Sequence, residues 1–205
     1  MASIARMNVD LPDIYNAATT FVDENITQGR GGKVAIYYQD RKITYQEVFE
    51  NVNRTGNALS ELGIEIENRV LVILPDSPEF AYSFFGAIKI GAVAVPTNPW
   101  MFAKDYEYLI NDSRARALIV HESTLPEIEK IWDNTPFLKH IIVVGTAKGK
   151  ALSYQTLVAK ASDKLEAAKT MKDDVCFWGY TSGSTGNPKG AVHLQHDMIT
   201  ISDLF

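Results

Sequence analysis

Apolar positions along the chain follow two alternating patterns. The first is short, nearly continuous apolar runs: residues 69–74 (RVLVIL), 92–95, 117–120, 140–144 and 175–180 (VCFWGY). Runs of this length between polar turns predict strands covered on both faces. The second is a repeat near 3.6 residues. Over residues 11–27, Leu11, Ile14, Tyr15, Ala18, Phe21, Val22 and Ile26 share one face, which predicts an amphipathic helix. Thr44-Tyr45-Gln46-Glu47 is a capping box; the helix it opens is predicted to run to Leu62 and stop at Gly63. Asp76 or Ser77 caps a helix from Pro78 to about Ile90. Residues 101–111, 125–132 and 153–161 also read as helices, and residues 33–39 and 42–44 as a hairpin turning at Asp40-Arg41. The polar residues 164–173 read as a connecting helix or a loop, residues 181–190 as a loop, and a last helix starts near Leu194.

Repeated strand–helix units predict an α/β fold: a largely parallel sheet with helices on both faces. There is no internal repeat and no low-complexity linker. The apolar pattern Met198, Ile199, Ile201, Leu204, Phe205 carries no cap or glycine stop, so residues 1–205 are expected to be part of a longer protein. A domain cut there bares apolar surface, which makes self-association an expectation as well.

Composition narrows the partners. Twenty Lys and Arg against 25 Asp and Glu give a net charge of −5, which argues against a nucleic-acid or anionic-membrane binder. Apolar residues make up 46% and charged residues 22%, as in globular proteins. No run approaches the ~20 apolar residues of a spanning helix, and the first residues lack an apolar signal stretch. Cys176 has no partner for an internal disulfide, which fits a cytoplasmic location and removes a cysteine-based zinc site.

Chemistry concentrates in Tyr180-Thr181-Ser182-Gly183-Ser184-Thr185-Gly186-Asn187-Pro188-Lys189-Gly190, directly after a predicted strand. Its glycines let the backbone approach a ligand. Its successive amides suit an anion-binding nest. Four hydroxyls and the Lys189 ammonium add donors, and no Asp or Glu occurs between residues 175 and 196. A polyphosphate fits this turn; so does the plainer reading of a solvated Gly/Ser/Thr turn. The P-loop pattern is not met, because Pro188 stands where its second glycine belongs and Gly190 where its metal-binding hydroxyl belongs.

The stretch resembles the phosphate-binding signature of the adenylate-forming superfamily, which comprises acyl-CoA synthetases, luciferases and peptide-synthetase adenylation domains. Ile43-Thr44-Tyr45-Gln46-Glu47 is similar to that family's "TY.EL" helix start, with Val48 in place of the leucine. Residues 87–96 (AIKIGAVAVP) are similar to its "K.GA..VP" signature. Residues 16–23, 51–63 and 106–117 look most like benzoate-CoA ligases and closely related acyl-CoA synthetases. The resemblance implies that the chain is the N-terminal portion of a large AMP-binding domain, in an enzyme that activates a carboxylic acid with ATP and then forms the CoA thioester.

It also implies that Thr181, Ser182, Gly183, Ser184, Thr185, Gly186 and Lys189 hold the β- and γ-phosphates. The expected cofactors are ATP, Mg²⁺ and CoA, with an aromatic or other acyl carboxylic acid as small-molecule substrate. The adenylation lysine, the adenine and ribose contacts and the metal-binding acid are expected downstream of Phe205, so these residues alone are expected to be inactive. The alternatives are an adenylation domain of another class and a non-catalytic nucleotide-binding module. His196 falls where the family carries a histidine; a substrate contact and a plain helix-start role both remain open. His193 and His196 lack a sufficient ligand set for a transition metal. Cys176, without a neighbouring cation, reads as inert, and the aromatics of residues 80–85 read as packing.

Overall fold

A computed structural model of the chain describes residues 10–181 and 186–204. A π-helical turn, Thr19–Asp23, continues into α1 (Glu24–Thr27), and a separate hairpin pairs β1 (Val34–Tyr38) with β2 (Arg41–Thr44). The capping box at Thr44 and Glu47 is formed, and α2 (Tyr45–Glu61) follows it. The chain leaves that helix through Gly63 at φ +78°, a conformation L side chains rarely adopt. Next come β3 (Arg69–Ile73), α3 (Pro78–Lys89) capped by the Ser77 side chain, β4 (Val93–Pro96) and α4 (Ala103–Ser113). β5 (Ala117–His121), α5 (Leu125–Glu129), β6 (His140–Val144), β7 (Leu152–Ser153) and α6 (Tyr154–Lys160) precede β8 (Val175–Thr181), β9 (Lys189–Leu194) and α7 (Gln195–Leu204).

The main sheet has the order β7-β6-β5-β3-β4-β8-β9. β3 to β8 run parallel, and β9 returns antiparallel beside β8. Alternate residues go to opposite faces, as the pleat requires. Val70, Val72, Ala94 and Ile119 pack into one core, together with residues of α2, α3 and α6. Leu71, Ile73, Val95 and Leu118 pack into the other, against Tyr106, Leu109 and Ile110 of α4 and Ile128 of α5. Both faces are therefore covered, as the continuous apolar strands predict. The aromatics of α3 are core: Phe84 packs edge-on against Phe85 and Phe177.

Lys89 is fully buried and paired. Its Nζ lies 2.5 Å from Asp23 Oδ1 and 2.7 Å from Asn53 Oδ1, over the Phe49 ring. Burial pushes the Lys89 ammonium below its ordinary range and the Asp23 carboxyl above its own, and the pairing opposes both shifts.

The structure departs from the predicted elements in several places, and the helix predicted over residues 125–132 ends at Glu129. The helix over residues 11–27 is shorter, because Ile14 bridges Met171 and Tyr15 N–H donates to Thr170 O, leaving the helix to start after them. Residues 189–194, read as part loop and part helix start, form β9. β7 adds a two-residue strand beside β6. Among the described residues no helix is long and apolar enough to cross a membrane.

Candidate functional site

β8 and β9 form a ribbon that ends at the carboxyl end of β4 and β8, the side of an open sheet where loops gather ligands. Its last rung pairs Thr181 with Lys189, and the rung before pairs Tyr180 with Gly190. Thr181 Oγ1 donates to Lys189 O at 3.4 Å. Gly186 sits at φ +113°, in the region open to glycine. The turn thus brings together Thr181, Gly186 and Lys189; Ser182, Gly183, Ser184 and Thr185 lie outside the described residues.

Beside the ribbon is a cavity of about 260 Å³, lined in part by Pro96, Thr97, Asn98, Tyr180, Thr181 and Pro188. The segment leaving β4 forms one wall. Thr97 N–H donates to Val72 O, and Tyr106 Oη donates to Asn98 O, which fixes that segment. Trp100 and Phe102 stand 79% and 71% exposed at its far end, unusual for such rings. Helix α4 touches the ribbon twice. Tyr108 Oη donates to Pro188 O at 3.0 Å, and Tyr180 Oη donates to Asp112 Oδ2 at 2.6 Å. Burial, then the Asp112 carboxylate, holds the Tyr180 phenol well above its ordinary range.

A larger cavity of about 330 Å³ lies after β5 and β6, lined by Glu122, Glu129 and Lys148 among others. Two carboxylates against one ammonium oppose a polyphosphate. Size therefore does not choose the site; the lining beside the ribbon is uncharged and holds no carboxylate to oppose one.

His196 is not near the loop. It opens α7 at the other end of the ribbon, with Nδ1 2.9 Å from Lys172 O and Nε2 3.2 Å from Asp197 Oδ1. The ring ties α7 to the segment before β8. His193 stacks on Phe177 at 4.4 Å between ring centroids. Among the described residues no three His, Cys, Asp or Glu side chains group as a metal site. Cys176 is buried, and desolvation with help from Asp197 pushes its thiol up to about 12.

Residues 22–203 match the AMP-binding enzyme family. The chain belongs to that family. The chain is 40% identical over 198 residues to a benzoate–CoA ligase of Thauera aromatica, covering 96% of the chain and 37% of that protein. It is 41% identical over 181 residues to a 4-hydroxybenzoate–CoA/benzoate–CoA ligase of Rhodopseudomonas palustris, covering 88% of the chain and 34% of the relative. Among solved structures, the anthranilate CoA ligase AuaEII in complex with anthranoyl-AMP superposes with a TM-score of 0.92 at 39% identity. That superposition covers 96% of this chain and 38% of the ligase. The chain thus spans just over a third of these relatives' length.

Proposed function

We propose that the chain is the N-terminal portion of the large domain of an AMP-forming acid–CoA ligase. In this reading the turn between Thr181 and Lys189 grips the nucleotide's phosphates, and the acid is aromatic, of the benzoate type. The observation that carries the reading is the ribbon itself. It sets a hydroxyl, a positive-φ glycine and an ammonium around one turn, with no carboxylate between residues 175 and 196. The relatives' names support the reaction class and the aromatic acid.

The chemistry explains the need for such a turn. A carboxylate oxygen attacks the α-phosphorus of ATP, the bond to the bridging oxygen breaks, and pyrophosphate leaves. The sulfur of CoA then attacks the acyl carbon, AMP departs, and the thiol proton is released. In the first step an anion approaches an anion, so donors on the β- and γ-phosphates lower the barrier by stabilising charge that grows on the leaving group. In this reading Lys189, Thr181 and the glycine amides supply those donors. Magnesium enters with the nucleotide, as MgATP, which suits an ion that keeps few protein ligands. The proposal puts the protein in the cytoplasm, where its single buried thiol stays reduced.

The test is product analysis on the full-length protein with benzoate, MgATP and CoA. Equal amounts of AMP and benzoyl-CoA are expected. Nucleotide binding without AMP release would favour a non-catalytic module, and adenylate formation without thioester would favour another adenylating class.

A further inference from the structure

Helix α4 presents Tyr108 and Asp112 one turn apart, on one face, toward the β8–β9 ribbon. Tyr108 binds the carbonyl of Pro188, the residue immediately before Lys189. Asp112 binds the phenol of Tyr180, the residue immediately before Thr181. One bond therefore falls on β8 and the other on the residue that enters β9, on either side of the rung from which the turn springs.

We infer that Tyr108 and Asp112 are positioning residues for the nucleotide loop, a two-point clamp from α4 that fixes both stems of the turn. This rests on the reading of that turn as the phosphate grip. Ordering the groups that meet a ligand is a loss that weakens binding. Fixing both stems removes part of the loss in advance and sets the direction from which the Lys189 side chain leaves the strand. Tyr106, Leu109 and Ile110 make α4's buried core contacts, and the Tyr108 ring packs partly against the same core. Its hydroxyl, which Tyr108→Phe alone removes, is the group bonded to Pro188, and Asp112 is exposed. The Asp112 bond is short and charge-assisted, the stronger class of hydrogen bond.

The experiment uses the full-length protein and acid-dependent exchange of pyrophosphate into ATP. Tyr108→Phe and Asp112→Ala are each expected to raise KM for MgATP roughly three- to tenfold. KM for the acid should stay at the wild-type value. Asp112→Asn should recover most of the loss, since its amide oxygen still accepts from Tyr180. All three variants keep the helix and its core residues, and an unchanged melting temperature without nucleotide checks that they fold. Lys189→Ala serves as the reference. If it raises KM for MgATP while Tyr108→Phe and Asp112→Ala do not, the clamp is refuted and the phosphate-grip reading stands. A rise in the acid's KM equal to that for MgATP also refutes the clamp. If Lys189→Ala leaves KM for MgATP unchanged, the grip and the clamp fall together.

Discussion

Thr181 and Lys189 face each other across the last rung of the β8–β9 ribbon, the Thr181 hydroxyl bonded to the Lys189 carbonyl at 3.4 Å. Eight positions apart in sequence, they become neighbours because the strands pair. The ribbon in turn stands on a core built at some distance from it, and most of the following predictions probe that core.

Gly86 of α3 packs where α2 and α3 cross. A Cβ there would lie 3.0 Å from Thr55 Cβ and 3.1 Å from Gly56 N. Alanine would gain about 1 kcal/mol of helix propensity. Overpacking against a backbone atom costs about 1–3 kcal/mol, and backbone cannot swing aside. Gly86→Ala is therefore expected to lower stability by about 1 kcal/mol in urea unfolding. A more stable variant would show that the helices have room to separate.

Lys89 is buried with Asp23 and Asn53 as partners. Lys89→Met leaves a partly buried carboxylate without its counter-ion, and about 3 kcal/mol of stability should be lost. Adding Asp23→Asn removes the stranded charge and should recover part of that loss. A single variant within about 0.5 kcal/mol of wild type would contradict this role.

Thr44 and Glu47 cap α2 reciprocally: Thr44 N–H donates to Glu47 Oε2 at 2.8 Å, and Glu47 N–H to Thr44 Oγ1 at 3.2 Å. Thr44→Ala should cost about 1 kcal/mol. The bonds from the Thr44 backbone and hydroxyl hold the Glu47 carboxyl below its ordinary range. Its contribution is present above the unfolded-state pKa and disappears as pH falls through the lower native value. The wild-type advantage over Thr44→Ala should accordingly shrink between neutral pH and pH ~3, as measured by urea unfolding at both.

Cys176 makes the opposite, alkaline prediction. Burial raises its thiol from 9.0 to about 12. The native state thus keeps a proton that the unfolded state releases, and stability declines as pH climbs from about 9 toward 12. Comparison with Cys176→Ala isolates the effect, because that variant lacks the thiol's share of the decline. Parallel stability curves for the two proteins over that range would refute it. Thiol reagents at neutral pH should modify Cys176 only after unfolding.

The parts of the fold written in local pattern were legible from sequence. The apolar runs at β3, β4, β5, β6 and β8 found their strands, and Thr44 and Ser77 marked where α2 and α3 begin. What escaped depends on distant partners. Lys189-Gly190-Ala191-Val192-His193-Leu194 has little strand character of its own and is extended because β8 supplies its hydrogen bonds. Residues 11–16 carry a helical spacing, yet Tyr15 N–H donates to Thr170 O and Asp13 O accepts from Lys172 N–H, on either side of the Ile14–Met171 bridge. At the site, Thr181, Gly186 and Lys189 were legible as a glycine-rich turn with one ammonium. The anchors on Pro188 and Tyr180 were not, since Tyr108 and Asp112 lie far upstream and only the packing of α4 brings them there. His196, singled out by the family resemblance, opens α7 at the far end of the ribbon from the turn.

The central claim is that the turn between Thr181 and Lys189 holds a nucleotide's phosphates. Its most direct test is MgATP saturation of acid-dependent pyrophosphate exchange by the full-length protein, wild type against Lys189→Ala. Loss of a charged donor to phosphate should raise KM for MgATP by roughly tenfold or more, with the acid's KM unchanged. Superimposable MgATP curves for the two proteins would contradict the claim.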